Sequence, residues 1–360
     1  MIETFTLISF FIVIYDYLFQ IQKRNRVFFS FLFFLIFFES TKWKFGVDWL
    51  PYFQFFNSSK DLILLTAIST QVFEPGFVFI NYIVRNLTDQ YTFLLTLVMV
   101  LLYVPLFTSV FFHTNKSFLS IFYLVSTIPW YSGSLRQMVA IGVFALAINM
   151  IIKRKIISFF LLIFIASLFH SSAIPLIFSY FLYGISWGIF LIIFIFFLGL
   201  GIFADKLVQL LDYIFSQLGR RSDYSSKISA NPNANPLLGL SRKIYYLFGF
   251  YIFYYSASAN FINSKNEDLK KLNFFLMLST FTLWAYLVGT YKVVYFNSRM
   301  DIYFSLISGA YLIGILENYI KLKSNKFLLI CFVASLSLLF YSRLEFTNLF
   351  HPYTSIFYNT

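Results

Sequence analysis

The sequence predicts an all-α fold, a polytopic transmembrane helix bundle, and three observations carry that reading. Of the 360 residues 59% are hydrophobic and only 12% charged. With a mean hydropathy of +0.77, the chain exceeds what a soluble domain reaches while keeping a polar surface. Apolar runs recur from the first residues to Tyr341, many approaching the ~20 residues that cross the hydrocarbon core of a bilayer. The net charge is +12, but the cations sit in short turns between apolar runs. Positive-inside asymmetry and contact with anionic lipid or substrate explain that placement better than nucleic acid does. The chain reads as one integral-membrane domain, residues 1–360, of about twelve spans, with eleven as the alternative.

Thr4 to Phe19 is the first span; it lacks a basic leader and a small-residue cleavage site, so it is expected to be retained. The basic turn Lys23, Arg24, Arg26 places the following loop in the cytoplasm and the N-terminus outside. Val27 to Phe38 returns outward, and Glu39 to Lys60 mixes charges and aromatics as at the outer interface. Asp61 to Val72, short and carrying Ser and Thr, reads as re-entrant or loop. Glu74-Pro75-Gly76 opens a short amphipathic helix along the outer surface, with Pro75 at the first helical position and Phe77, Ile80, Asn81 and Val84 on one side.

Tyr91 to Phe112 runs inward, Phe118 to Tyr131 outward, and Ser132-Gly133-Ser134 breaks the chain outside. Leu135 to Ile152 descends to the basic turn Lys153 to Lys155, and Ile156 to Phe169 rises to His170. Beyond it, either Ser171 to Tyr183 and Trp187 to Phe203 are two more crossings, or His170 interrupts one long helix. Residues 205–243 form the longer extracytoplasmic loop, whose NPNANP run cannot continue a helix. By charge alone this loop would be cytoplasmic; it is placed outside because the other basic turns, including Lys265 to Lys271 and Lys321 to Lys326, then form one consistent cytoplasmic set. Tyr245 to Ile262, Leu272 to Tyr291, Ile302 to Ile320 and Phe327 to Tyr341 complete the spans.

The 52 Phe and 26 Tyr are too scattered for a binding box and serve as lipid-facing filler and interfacial anchors. One cysteine, Cys331, allows neither an internal disulfide nor a thiolate metal site. No H-E-x-x-H, paired D-x-D or P-loop pattern occurs, so no metal or other cofactor is expected, and zinc hydrolysis and ATP-driven transport lose support. The scarce ionisable groups instead converge on the outer ends of helices: Asp48, Glu74, Arg136, His170, Arg220, Arg221 and Arg299. Arg presents a fixed fork of donors that suits phosphate. Arg136 also begins a helix, where unpaired N–H groups favour an anion; the plainer alternative is a snorkelling anchor. Arg299 either pairs with Asp301, anchors a helix end, or joins the anion site. Asp48 closes a turn after Gly46 or acts in the site, and Glu74 favours its helix start or acts in the site.

The ordered blocks KFGVDWLPYFQFF, EPGFVFINYIV, SLRQMVAIGV, a Lys/Arg-rich turn and LFHSSAIP, from about Trp43 to Pro175, resemble the EpsG-like branch of the Wzy polysaccharide polymerases. The resemblance implies a multi-pass enzyme of the bacterial inner membrane in O-antigen or exopolysaccharide assembly. It would work at the periplasmic face on oligosaccharides linked to undecaprenyl pyrophosphate, with membrane lipids and a chain-length regulator as further partners and no nucleic acid. Carried onto this chain, it singles out Gly46, Asp48, Tyr52, Glu74, Pro75, Arg136, Gln137, His170 and Arg299. In the implied reaction Arg136, Arg299, Arg220 and Arg221 hold the pyrophosphate without a metal. His170 fits best as acceptor of the attacking hydroxyl's proton, with Asp48 and Glu74 as alternatives, and Gly46, Tyr52 and Gln137 support. The rival readings are an O-antigen ligase and a non-enzymatic glycolipid transporter. The latter is weakened by the gathering of charges at one face rather than at mid-membrane.

Overall fold

In the computed structural model of the chain, residues 2–19, 22–43, 48–59, 73–128, 134–202, 206, 266–291, 302–322 and 354–355 are described. They are helical apart from turns and a two-residue antiparallel pairing of β1 (Lys42–Trp43) with β2 (Thr354–Ser355). The chain divides into two compact units, one of Met1–Pro175 with Ile313–Thr360 and the other of Leu176–Leu312.

The first unit opens with α1 (Ile2–Phe19) and α2 (Arg24–Ser40). Arg24 and Arg26 therefore lie inside α2 rather than in a turn before it. Arg24 donates from Nε and Nη2 to the two carboxylate oxygens of Asp16, each at 2.9 Å. A buried acid in α1 thus receives a bidentate partner, and the pair staples the hairpin. The aromatic segment that follows, expected only as interfacial, forms α3 (Trp49–Ser58). Tyr52, Phe55 and Phe56 recur at helical spacing and are its buried face. The amphipathic helix appears as expected in α4 (Pro75–Leu87), with Pro75 at its start and Phe77, Val78, Ile80, Asn81 and Val84 buried. Residues 60–72, read as re-entrant or loop, lie outside the described residues.

The core of this unit is α5 (Tyr91–His113), α6 (Phe118–Thr127), α7 (Leu135–Ile152) and α8 (Ile156–Phe169). The last two match their expected limits. Small residues on α7 let it approach α5 closely: a Cβ at Gly142 would stand 2.0 Å from the carbonyl oxygen of Leu101, so only glycine fits. Ser109 of α5 donates to Asn149 Oδ1 of α7 at 3.0 Å. Because Leu101 faces Gly142 and Ser109 faces Asn149, the two helices run parallel. Helix α6 is buried along its whole length, as expected of one apolar all round, and Ser117 caps it by accepting the Ser120 N–H at 3.0 Å.

These packings give the unit two distinct ends. Phe28, one turn into α2, stacks on Phe111 near the end of α5 at 4.0 Å, and Ser109 pairs with the last turn of α7. The basic residues Lys23 to Arg26, Lys116 and Lys153 to Lys155 therefore gather at one end. Two of these turns are tight. Lys116 N–H and Lys155 N–H reach back to Phe111 O and Met150 O, at 2.7 and 2.9 Å, and Asn115, Lys116 and Arg154 take positive φ to close them. At the opposite end Tyr91, first residue of α5, packs its ring 5.4 Å from Phe53 and 5.5 Å from Phe56 of α3.

After α8 the chain continues as a 3₁₀ helix (Ser171–Phe178), a single turn α9 (Ser179–Leu182) and then α10 (Trp187–Ile202). His170 thus caps α8 and interrupts the helical course, which resumes at once as the 3₁₀ helix. The second unit also holds α11 (Asn266–Tyr291), where Lys270 and Lys271 sit in early helical turns rather than in a loop. A π-helical turn (Phe304–Ser308) follows, leading into α12 (Gly309–Leu322). Within this unit Phe275 stacks on Tyr311 at 4.3 Å, and the hydroxyls of Ser279 and Ser308 meet at 2.9 Å. From Ile313 onward α12 belongs to the first unit, where Glu317 accepts from the Ser117 hydroxyl. The expected spans Tyr245 to Ile262 and Phe327 to Tyr341 and nearly all of the loop 205–243 lie outside the described residues.

Tyr91–His113 and Leu135–Ile152 are long and apolar enough to cross a membrane, and several shorter apolar helices accompany them. Helices α1, α2, α8 and α10 also expose Phe11, Phe33, Phe164, Ile157 and Ile192. Apolar surface of that extent fits lipid rather than water.

Candidate functional site

The end of the first unit opposite the basic turns carries its polar centre, assembled from four helix termini. Tyr52 comes from the first turns of α3, Glu74 stands at the N-cap of α4, Arg136 is the second residue of α7, and His170 caps the end of α8. Helix ends suit such groups, because side chains and free backbone N–H groups meet there without breaking a helical ladder.

Glu74 is the keystone. Its Oε2 accepts from Arg136 Nη1 in an ion pair, and its Oε1 accepts the backbone N–H of Ser171 at 3.4 Å. One carboxylate thus ties the start of α7 to the residue after His170. Gly76 permits this, since a Cβ there would lie 2.8 Å from Leu168 O in α8. Arg136 also donates from Nε to Tyr52 Oη at 3.3 Å. Its guanidinium carbon lies 4.8 Å from the Phe73 ring centre and 5.7 Å from that of Tyr52. These rings belong to an aromatic wall with Phe55 and Phe77, an apolar lining that strengthens the fields of the charges it surrounds. Arg136 and Glu74 remain 20% and 14% exposed at their side chains, so the pair is sheltered but reachable.

Tyr52 itself is buried. Burial pushes its phenol above the ordinary value, against the opposing pull of the Arg136 charge and of the hydrogen bond from it. It remains protonated at neutral pH. Asp48, at the N-cap of α3, adds negative potential at the same ring.

His170 is 3% exposed. Its Nδ1 accepts the backbone N–H of Ser172 at 3.2 Å and lies 2.6 Å from the Ser172 hydroxyl. Gln137 is buried beside Arg136. The structure therefore brings together Tyr52, Glu74, Arg136 and the His170 turn, with Asp48 close to Tyr52. Gly46, Arg220, Arg221 and Arg299 lie outside the described residues. Two partners escape a reading of the sequence. Phe73 is one ring among many, and Ser172 reads as a small residue that leaves room; only its two-residue offset from a histidine hints at the bond. Among the described residues no group of three or more His, Cys, Asp or Glu is placed to hold a metal ion.

An apolar exterior, two helices of spanning length among the described residues and a sheltered ion pair where several helices of the first unit end define an integral membrane protein with a polar centre at one end of that unit. The chain belongs to the EpsG family, whose model matches residues 25–355. The family is of polysaccharide-polymerase type, with glycosyltransferase-like chemistry. No curated protein and no solved structure matches the chain.

Proposed function

We propose that the protein is a metal-independent polysaccharide polymerase of the bacterial inner membrane. It transfers a growing glycan from undecaprenyl pyrophosphate to a sugar hydroxyl of another lipid-linked repeat unit at the periplasmic face. The observation that carries the reading is the Arg136–Glu74 pair, held with Tyr52 and the His170 turn at the end of the bundle away from the basic turns. In this reaction the acceptor oxygen bonds to the anomeric carbon as the bond to the diphosphate breaks, so negative charge grows on the departing group. A preorganised guanidinium in an apolar lining stabilises that charge, the kind of electrostatic assistance that often dominates catalysis. Among the described residues Nε and Nη1 are engaged by Tyr52 and Glu74, and the Nη2 edge is the one proposed to meet the diphosphate. Arg299, Arg220 and Arg221 supply further positive charge, and the lipid tails lie along ordinary Phe and Leu walls. A donor already activated as a diphosphate needs no nucleotide.

Purified protein supplied with a synthetic undecaprenyl-diphosphate repeat is expected to make a ladder of lipid-linked glycans, with or without chelator. A product that never exceeds one repeat, or a ladder abolished by chelator and restored by metal, overturns the reading. Replacing Arg136 by Ala should remove the long products without preventing membrane insertion, and Arg136→Lys should rescue poorly because a point charge lacks the fork.

A further inference from the structure

We propose that His170 serves the transfer as a hydrogen-bond donor to the departing diphosphate through Nε2–H, and that Ser172 is the positioning residue that fixes this tautomer. The inference rests on the polymerase reading above but comes from a separate geometric fact. A backbone N–H can only donate, and that of Ser172 points at His170 Nδ1 from 3.2 Å, with the Ser172 hydroxyl on the same nitrogen at 2.6 Å. Nδ1 must therefore present its lone pair, and the hydrogen of the neutral ring sits on Nε2. A hydrogen on Nδ1 would face the N–H of Ser172 directly, donor against donor.

The turn that holds the ring is fixed on each side. His170 N–H donates to Ala166 O at 3.0 Å, His170 O accepts from Ala173 N–H at 3.0 Å, and Glu74 holds the Ser171 N–H between them. A ring whose lone pair is turned toward Ser172 has none to offer a sugar hydroxyl. This differs from the proton-acceptor role expected of an ordinary imidazole. Toward an oxygen gaining negative charge, however, Nε2–H is the type of donor required, and Glu74 ties the turn that carries it to Arg136. The step balances without a side-chain base. The acceptor oxygen forms its bond to the anomeric carbon, the electron pair of the breaking bond leaves with the diphosphate, and the hydroxyl proton ends on that diphosphate. His170 keeps its hydrogen throughout.

The test compares His170→Gln with His170→Ala in polymerisation of the synthetic lipid-linked repeat by the full-length protein. A glutamine amide can place an N–H near the position of Nε2 but is no base. Gln is expected to stay within about tenfold of wild type, while Ala loses on the order of 10²–10³-fold, the usual cost of one lost donor to a developing oxyanion. Equal loss in the two variants is the result a general base predicts, and it overturns the donor role. Nitrogen NMR of ¹⁵N-imidazole-labelled protein, with the His170 signal identified by its absence from His170→Gln, judges the tautomer without any substrate. Hydrogen on Nε2 is expected in wild type, in Ser172→Thr and in Ser172→Ala, since all three keep the backbone N–H on Nδ1, with about a tenfold slower reaction in Ser172→Ala, whose ring has lost the hydroxyl that steadies it; hydrogen on Nδ1 in wild type overturns the assignment. Wild-type protein inert toward the repeat would remove the polymerase reading and the diphosphate role with it, while the NMR result would still decide the ring.

Discussion

Arg136 sits in the structure with its charge already answered. The Glu74 carboxylate is its partner, and both side chains are largely withdrawn from water. Truncating one member of such a pair leaves the other sheltered and unpaired, at a cost of about 3–5 kcal/mol, whereas replacing both by apolar residues of similar volume is often neutral. Arg136→Met alone and Glu74→Leu alone should therefore each lower thermal stability in detergent. The double variant should regain most of that loss yet make no polymer, which separates the chemical role of the pair from its structural one; a double variant that polymerises removes the pair from the mechanism. Arg136, Glu74 and His170 were legible in the sequence because ionisable groups are rare in a chain so apolar. Their partnership was not, since 62 residues separate Glu74 from Arg136 and nothing local records that they meet. The role of Ser172 was hidden for the opposite reason: a serine next to histidine is too ordinary to signal a fixed tautomer.

Two glycines set the distances between helices, and they make different predictions. At Gly142 a methyl group would press on the backbone of Leu101, with nothing flexible to yield. Gly142→Ala should force α5 and α7 apart and lower stability by about 1–3 kcal/mol or more, read as a drop in the unfolding temperature. At Gly76 the obstacle is Leu168 O of α8, two residues before His170, and Glu74 lies two residues before Gly76. Gly76→Ala should therefore shift Glu74 from the Ser171 N–H and depress polymerisation more than stability. Gly199 is the control, because a Cβ there meets nothing within 4 Å; Gly199→Ala should change neither measurement.

The limits of α7 and α8 could be read from sequence because each apolar run ends at a hard polar break. Limits at basic residues could not. Arg24 and Arg26 lie inside α2, and Lys270 and Lys271 inside α11, since long cationic side chains can ride a helix while their heads reach water. Helix α3 was missed as a helix because its aromatic residues satisfy an interfacial reading equally well.

Over the whole molecule, the arrangement of the first unit turns a charge rule into a geometric one. Helix α7 places Arg136 and the Lys153–Lys155 turn at opposite ends, about 25 Å apart at 1.5 Å per residue. The packing of α2 on α5 and of α5 alongside α7 brings the other basic turns of this unit to the Lys153 end. If Lys and Arg are retained on the cytoplasmic side, the polar centre is expected to open on the periplasmic side, where the proposed reaction must occur. In a Cys331→Ser background, Asn86→Cys, exposed on the last turn of α4, should react with a membrane-impermeant maleimide in cells whose outer barrier alone is opened. Lys155→Cys should react only after the inner membrane is broken. The contacts of Tyr91 with α3 hold the α4–α5 connection at the Arg136 end, so Asn86 reports on the site without touching it. If Lys155→Cys labels first and Asn86→Cys only after lysis, the bundle is inverted and the centre faces the cytoplasm, and polymerisation at the periplasmic face is lost as an explanation even if Arg136 proves essential.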